Sequence, residues 1–493
     1  MAKNGSSPDS NGSEDAQLKR VVGIWGSFSM GYADVGADIY IALGLVALFA
    51  GNASPIAFAV AAITYIATGL GYAELASTYP VAGGAQYYSL KAFGPLHGFL
   101  AGWGLMLDYT IDIALFALAS IGYFGSLVKM FTGNAILLSS PYFGWAAIIL
   151  ILLLIGLNIF GIRWSSAFNQ FFVLMNLVII SLVLIVGLAF VSATGGLAAW
   201  AANVQSVGTN PSWGNLAYAT SIAMVSYVGI ESISQAAEET RYPKRVIPKA
   251  TKWVILAVVV MTVASSLLSV TLISTEALSA NSQAPMIAVV ASLPFIGALL
   301  SIIIAFTGFA MCYVSTNTGV IGVSRVTFSM GRLKLFPSFF GRIHPRYRTP
   351  YITITVFSLV AIGIILLNNE LPGVDLLGLI ASLYNFGALV AYMYVNLSLI
   401  ELRVKDPRPR AWKSPLNLNI PYKGGKCEVP MTGVIGFLSC MVVWILIVGT
   451  HPAGRVIGTI WFTVGFIIYL ILRRRAKRPS SLSPGMIGED NGS

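Results

Sequence analysis

Gly31-Tyr32-Ala33-Asp34-Val35-Gly36-Ala37-Asp38-Ile39-Tyr40-Ile41-Ala42-Leu43-Gly44 lies inside an apolar run that covers residues 21–49. A run of that length can cross a bilayer, whose hydrocarbon core takes about 20 residues of α-helix. Yet this run carries two aspartates and three glycines into that layer. An ionised carboxylate there costs on the order of 3 kcal/mol or more unless it is paired, so such residues commonly mark ion or proton paths.

The rest of the chain agrees with a membrane setting. Of 493 residues, 56% are hydrophobic and only 10% are charged, and mean hydropathy is +0.78. A soluble domain carries roughly 25% charged residues; here too few exist to coat two or more soluble domains. That excludes a soluble multidomain enzyme and a disordered chain. The net charge of +11 does not indicate nucleic acid, because the basic residues fall between apolar runs rather than on one face. Three cysteines and three histidines show no metal-ligand spacing, so no metal and no cofactor is expected. Cys312 and Cys440 read as small hydrophobes within apolar runs.

Twelve runs are long enough to span: about 21–49, 54–78, 97–130, 142–160, 167–194, 214–236, 251–274, 288–322, 351–368, 375–402, 431–449 and 454–472. They are continuous rather than alternating, so they predict helices, not barrel strands. With the N-terminus inside, 28 of the 30 Lys and Arg residues fall on the cytoplasmic side, leaving Lys129 and Arg455 outside. That asymmetry predicts a multi-pass protein of the plasma membrane with both termini cytoplasmic. Residues 1–20 and 475–493 read as cytoplasmic tails, the first disordered. Residues 403–430 read as a cytoplasmic loop and 431–474 as the last two helices.

Run one has Gly31, Gly36 and Gly44 around its aspartates. Run six has Ser226-Tyr227-Val228-Gly229-Ile230-Glu231. Polar, glycine-containing interruptions five helices apart suggest a transport core (21–402) of inverted repeats, about 21–194 and 214–402, with helices 1 and 6 broken.

Three further stretches carry a resemblance. Gly71-Tyr-Ala-Glu-Leu-Ala-Ser-Thr-Tyr-Pro-Val-Ala-Gly-Gly-Ala-Gln-Tyr-Tyr88 with Phe93-Gly-Pro95 and Gly102-Trp103 resembles helices 2 and 3 of amino acid–polyamine–organocation (APC) permeases. Tyr227-Val-Gly-Ile-Glu231 and Ala237-Glu-Glu-Thr-Arg-Tyr-Pro-Lys-Arg-Val-Ile-Pro248 are similar to helix 6 and its exit. Ser324-Arg-Val-Thr-Phe-Ser-Met-Gly331, Leu335-Phe-Pro337 and His344-Pro-Arg-Tyr-Arg-Thr-Pro350 resemble helix 8 and its exit. The resemblance implies an all-α, 12-helix, five-plus-five inverted-repeat (LeuT-like) fold with a mid-membrane substrate site. It places cargo against the break in helix 1, which here would be Gly36-Ala37-Asp38.

The sequence departs from that pattern. Asp38 stands where the family has a glycine, and it would repel a substrate carboxylate; it either caps the second half-helix or faces cargo. Asn176 stands where proton-coupled relatives carry a lysine. Asp34, Asp38, Asp108, Asp112 and Glu231 lie in apolar runs without a deep Lys or Arg. Each aspartate pair is spaced four apart and shares a helix face; two close carboxylates cannot both ionise cheaply. Such acids suit a cationic cargo or a coupling cation. Tyr32-Ala-Asp-Val-Gly-Ala-Asp38 also looks like the opening of the potassium uptake permeases, a branch of the same superfamily. Ser315, Thr316 and Thr318 could offer oxygens to a sodium-like ion, or bond back to their own helix.

The expectation is a permease importing a small amino compound, an amino acid or more readily an amine or polyamine, coupled to H+ or Na+. Its cargo site would comprise Asp34, Gly36, Ala37, Asp38, Tyr40, Ser226, Tyr227 and Gly229. Coupling would involve Asp108, Asp112, Asn176, Glu231, Ser315, Thr316 and Thr318. The alternatives are an importer of potassium or another monovalent cation, and a non-transporting sensor, for which no output domain is evident. No phosphate-binding loop supports an ATP-driven pump.

Overall fold

Long apolar runs leave backbone N–H and C=O groups no water to bond, so each closes its hydrogen bonds within a helix. The computed structural model describes residues 20–475, except 82, 161, 348, 371–375 and 423–424. The helices are α1 (Ile24–Ala50), α2 (Ser54–Thr78), α3 (Ala85–Phe93), α4 (Pro95–Thr132), α5 (Tyr142–Phe160), α6 (Ile162–Ala193) and α7 (Gly196–Val204). Then come α8 (Trp213–Ala223), α9 (Glu231–Gln235), α10 (Pro243–Leu272), α11 (Thr275–Ala280), α12 (Pro285–Ala291) and α13 (Gly297–Arg332). The last are α14 (Tyr351–Glu370), α15 (Leu376–Lys405), α16 (Met431–Thr450) and α17 (Pro452–Arg475). Apart from residues 20 and 475, the expected tails lie outside the described residues.

Among the described residues, ten helical stretches are long and apolar enough to cross a membrane. One of them, Ile24–Thr78, has 55 residues and consists of α1 and α2 joined by a 3-10 turn at Gly51–Ala53. The stretch Tyr351–Leu367 is shorter. The pattern is inside-out relative to a soluble protein. Leu153, Ile185 and Leu367 are largely exposed, whereas Asp34, Asp38, Asp108, Asp112 and Glu231 are all buried. Helix α4 packs along α13 and α15, and α1 and α2 pack along α10. Trp103 and Trp461 clasp α4 to α17: their rings stack 4.6 Å apart, and each indole N–H donates to the other's carbonyl at 2.9 and 3.1 Å.

Two expectations need correction. The first helix is not broken: α1 runs unbroken through Gly36. A glycine inside a helix costs only about 1 kcal/mol, less than leaving buried peptide groups unbonded. Gly36 instead makes room for the Tyr32 ring, which a side chain at 36 would strike. With no helix end there, Asp38 caps nothing; both its carboxylate oxygens are buried without a partner. Secondly, residues 403–430 are more than a loop, since β1 (Asn417–Tyr422) and β2 (Gly425–Pro430) pair antiparallel, with Asn417 opposite Pro430.

That hairpin segment is tied to α2 through Glu74, which is fully buried. Arg403 donates to its carboxylate at 2.8 and 2.6 Å, Arg410 at 2.8 Å and the Ser414 amide at 2.7 Å. Nearby, Asp406 accepts from the Tyr79 hydroxyl at 2.7 Å and from Arg408 at 2.7 Å, and pairs with Lys91 at 3.2 Å. Partial burial works to raise its carboxyl, but those donors prevail and hold it well below the usual carboxylate range.

Candidate functional site: a buried acidic cluster at an unwound helix

Helix α8 ends at Ala223, tightens into a 3-10 turn at Met224–Tyr227, and gives way to an extended Val228 before α9 begins at Glu231. Gly229 takes φ +120°, which only glycine adopts without strain. Its N–H donates to the Tyr392 hydroxyl at 3.0 Å and to Glu231 Oε2 at 3.2 Å. The Tyr392 hydroxyl donates to the same oxygen at 2.5 Å. The unwound backbone is thus held against α15 by one tyrosine and one carboxyl.

Asp34 from α1 packs directly on this turn. A Cβ added at Gly229 would lie 2.7–2.9 Å from Asp34 Cβ, Cγ and Oδ2. Gly229→Ala therefore meets both a strained φ and the Asp34 carboxyl. We expect it to lower the stability by about 1–3 kcal/mol and to suppress uptake, read by thermal melting and a transport assay; a wild-type profile in both would contradict this packing.

The acids come from three helices. Ser232 donates to Asp34 Oδ2 at 2.9 Å. The Ser315 hydroxyl lies 3.4 Å from both Asp34 Oδ1 and Asp112 Oδ1. It has one proton and can donate to only one of them. Asp112 Oδ2 has no hydrogen-bond partner, and it is placed against Gly319, where any side chain would strike it. Asp38 lies one turn beyond Asp34 on α1, and both its oxygens are buried without a partner. Asp108 adjoins Glu231, and neither Asp108 oxygen nor Glu231 Oε1 has a donor. Each of the five acids is at most 1% exposed. Among the described residues, none of the ion pairs reaches Asp34, Asp38, Asp108, Asp112 or Glu231.

The other expected site residues divide. Ser226, Tyr227 and Gly229 lie in the unwound stretch, and the Ser226 and Tyr227 hydroxyls are buried without partners. Gly36 and Ala37 are buried within the continuous α1. Tyr40 donates to Asn176 Oδ1 at 2.5 Å, and Asn176 Nδ2 donates to the Tyr32 hydroxyl at 3.0 Å. Asn176 therefore fastens α6 to α1 and makes no bond to the acids. Thr316 and Thr318 donate to the carbonyls of Cys312 and Val314 on their own helix, at 2.8 and 3.0 Å. Of Ser315, Thr316 and Thr318, Ser315 is the one whose hydroxyl reaches the cluster among the described residues.

Ser232, Tyr392 and the pair Tyr109–Gln235, joined at 2.8 Å, were not singled out in the sequence. Ser232 adjoins Glu231 and could have been suspected as a helix-start hydroxyl. Tyr392 meets Gly229 from 163 residues away, and no local pattern announces such a partner.

A half-unwound span with buried acids, set among helices long and apolar enough to cross a membrane, fits a multi-pass membrane protein. The chain belongs to the amino acid permease family, whose model matches residues 22–472. It is 28% identical over 458 residues to the methylthioribose transporter of Bacillus subtilis, covering 90% of each chain. It is 26% identical over 483 residues to the branched-chain amino acid permease BcaP of the same organism, covering 94% of this chain and 95% of that one. It is 28% identical over 457 residues to the low-affinity putrescine importer PlaP of Escherichia coli, covering 90% of each. The protein is a multi-pass membrane permease for small molecules and not an enzyme.

Proposed function

We propose that this permease imports a small amine-bearing cation by alternating access, coupled to H+ or Na+. The observation that carries the reading is a shortage of donors. Asp34, Asp38 and Asp112 present six carboxylate oxygens, while the only hydroxyls bonded to them among the described residues are those of Ser232 and Ser315. Desolvated carboxylates in that number are tolerable only with positive charge or protons among them. A cationic cargo supplies the first and a coupling proton the second. A zwitterion brings its own carboxylate into the same repulsion, on the order of 4 kcal/mol at about 4 Å and an effective dielectric of 20. The presence of a putrescine importer among the relatives favours the same class.

Counting Ile24–Thr78 as two crossings and Tyr351–Leu367 as one gives twelve spans, with 21–194 and 214–402 as the inverted repeats of a LeuT-like core. The distribution of basic residues supports both termini lying in the cytoplasm of a plasma-membrane protein. Burial of all five acids corresponds to a closed intermediate of the cycle, in which neither side has access.

The first helix's likeness to the potassium uptake permeases supports one rival, in which the cluster takes K+ itself. A thermal-shift panel on the purified protein separates them, because a ligand of the folded state raises its melting temperature. Putrescine or a related amine is expected to raise it at concentrations where K+ and Na+ do not. Stabilisation by K+ alone would transfer the site to the inorganic cation.

A further inference from the structure

Two glycine-bearing spans meet at this site, and only one of them unwinds. Around Gly36 the peptide groups of α1 bond within the helix. Around Gly229 the helix stops, although an apolar setting without water favours closing those bonds internally. The difference lies in what α15 offers to the second span. Asn385 Nδ2 donates to the Ser221 carbonyl of α8 at 2.8 Å, shortly before the chain tightens at Met224. The Tyr392 hydroxyl accepts from the Gly229 N–H at 3.0 Å and donates to Glu231 Oε2 at 2.5 Å. One side chain therefore grips the end of α8, and the other grips the start of α9.

Asn385 and Tyr392 are at most 1% exposed. They lie two turns apart on one face of α15, about 10 Å along its axis. The helix that carries them is itself anchored. A Cβ added at Gly387 would lie 2.6 Å from the Gly104 carbonyl oxygen, so α15 rests directly on the backbone of α4. Asn396, one turn beyond Tyr392, donates to Thr68 Oγ1 of α2 at 2.9 Å. Extended backbone is longer than helix, at about 3.3 Å per residue against about 1.5 Å. Winding residues 224–230 back into a helix would draw Ser221 and Glu231 together along the axis. Two grips at a fixed spacing on an anchored helix resist that shortening, and at least one of them would have to break.

We propose that Asn385 and Tyr392 are positioning residues which together hold the break in the sixth span open before cargo arrives. The site is then preformed, and cargo need not supply the free energy of unwinding. Loss of either grip lets the stretch rewind for part of the time. A site that is competent for only a fraction of the time binds every ligand more weakly by that same fraction. Affinity therefore falls, by an equal factor for different cargoes, while turnover at saturating cargo is kept. The uptake part of the assignment rests on the reading of the protein as a carrier of amine cations; the shape of the cargo-free protein does not depend on it.

Two measurements test it. Electron cryo-microscopy of the cargo-free wild-type chain in lipid nanodiscs is expected to show residues 224–230 unwound, with Asn385 on Ser221 and Tyr392 on Gly229. A continuous helix there would overturn the assignment without any variant. Uptake kinetics in sealed vesicles are then compared for wild type, Tyr392→Phe and Asn385→Leu, with putrescine and with the longer diamine cadaverine. The substitutions keep the ring or the bulk and remove the polar grip. Each is expected to raise KM about fivefold, the worth of one net hydrogen bond, equally for both diamines and with kcat unchanged. Unchanged KM in both variants, a fall in kcat alone, or a rise in KM for only one diamine would overturn it. The first two outcomes leave a purely structural role, and the third a direct contact with cargo. Failure of the wild type to take up either diamine would instead remove the carrier reading, and the cargo-free structure would still decide the assignment.

Discussion

Replacing Asp34 by Asn is expected to reduce uptake roughly 1000-fold while the protein reaches the membrane at its normal level. The size follows from the charge removed. A carboxylate and an ammonium about 4 Å apart attract by about 4 kcal/mol at an effective dielectric of 20. Asn keeps the volume and an acceptor for the Ser232 hydroxyl, which donates to Asp34 Oδ2 at 2.9 Å, so the turn at Gly229 still has something to pack on. The loss therefore reports on charge rather than on folding. Asp112→Asn, across Ser315, is the companion: the same carboxylate pair is broken from the other helix. Full uptake in both variants would show that the cluster does not hold cargo or coupling ion.

The largest expected effect on stability lies elsewhere, at Glu74→Ala. Glu74 is the partner of two guanidinium groups whose side chains are only 4% and 3% exposed. Removing it leaves both charges buried and the Ser414 amide without its acceptor. Breaking a buried pair in this way costs about 3–5 kcal/mol. The hairpin segment would separate from α2, which protease sensitivity within residues 403–430 and a lowered melting temperature would register. Unchanged melting and protection would mean that the ion pairs are incidental to how this segment is held. The two predictions act on separate parts of the molecule, so their effects should add in the double variant.

The legible part of the fold was the part governed by composition and length. Runs such as 97–130 and 431–449 closely anticipate α4 and α16, because a lipid-facing backbone has no alternative to helix. The unwinding after Ala223 was also readable, since Ser226, Gly229 and Glu231 interrupt an apolar run with groups that need partners. The same reasoning misplaced a break at Gly36. Glycine permits an interruption without requiring one, and the deciding fact was a tertiary one, the ring of Tyr32 lying over it. The β-hairpin at 417–430 escaped for a similar reason: its short strands carry charge and proline, and its anchor, Glu74, lies over 300 residues away. Within the site, the aspartates announced themselves by being charged in an apolar setting. Ser232 and Tyr392 did not, because hydroxyl-bearing residues are ordinary in membrane helices and only the assembled bundle shows which of them meet an acid.

The account stands most directly on transport by the purified protein in sealed vesicles. Labelled putrescine should accumulate saturably, with unlabelled primary amines competing and potassium in excess leaving the rate unchanged. Vesicles that take up rubidium as a tracer for potassium but exclude putrescine, or that accumulate neither, would contradict it.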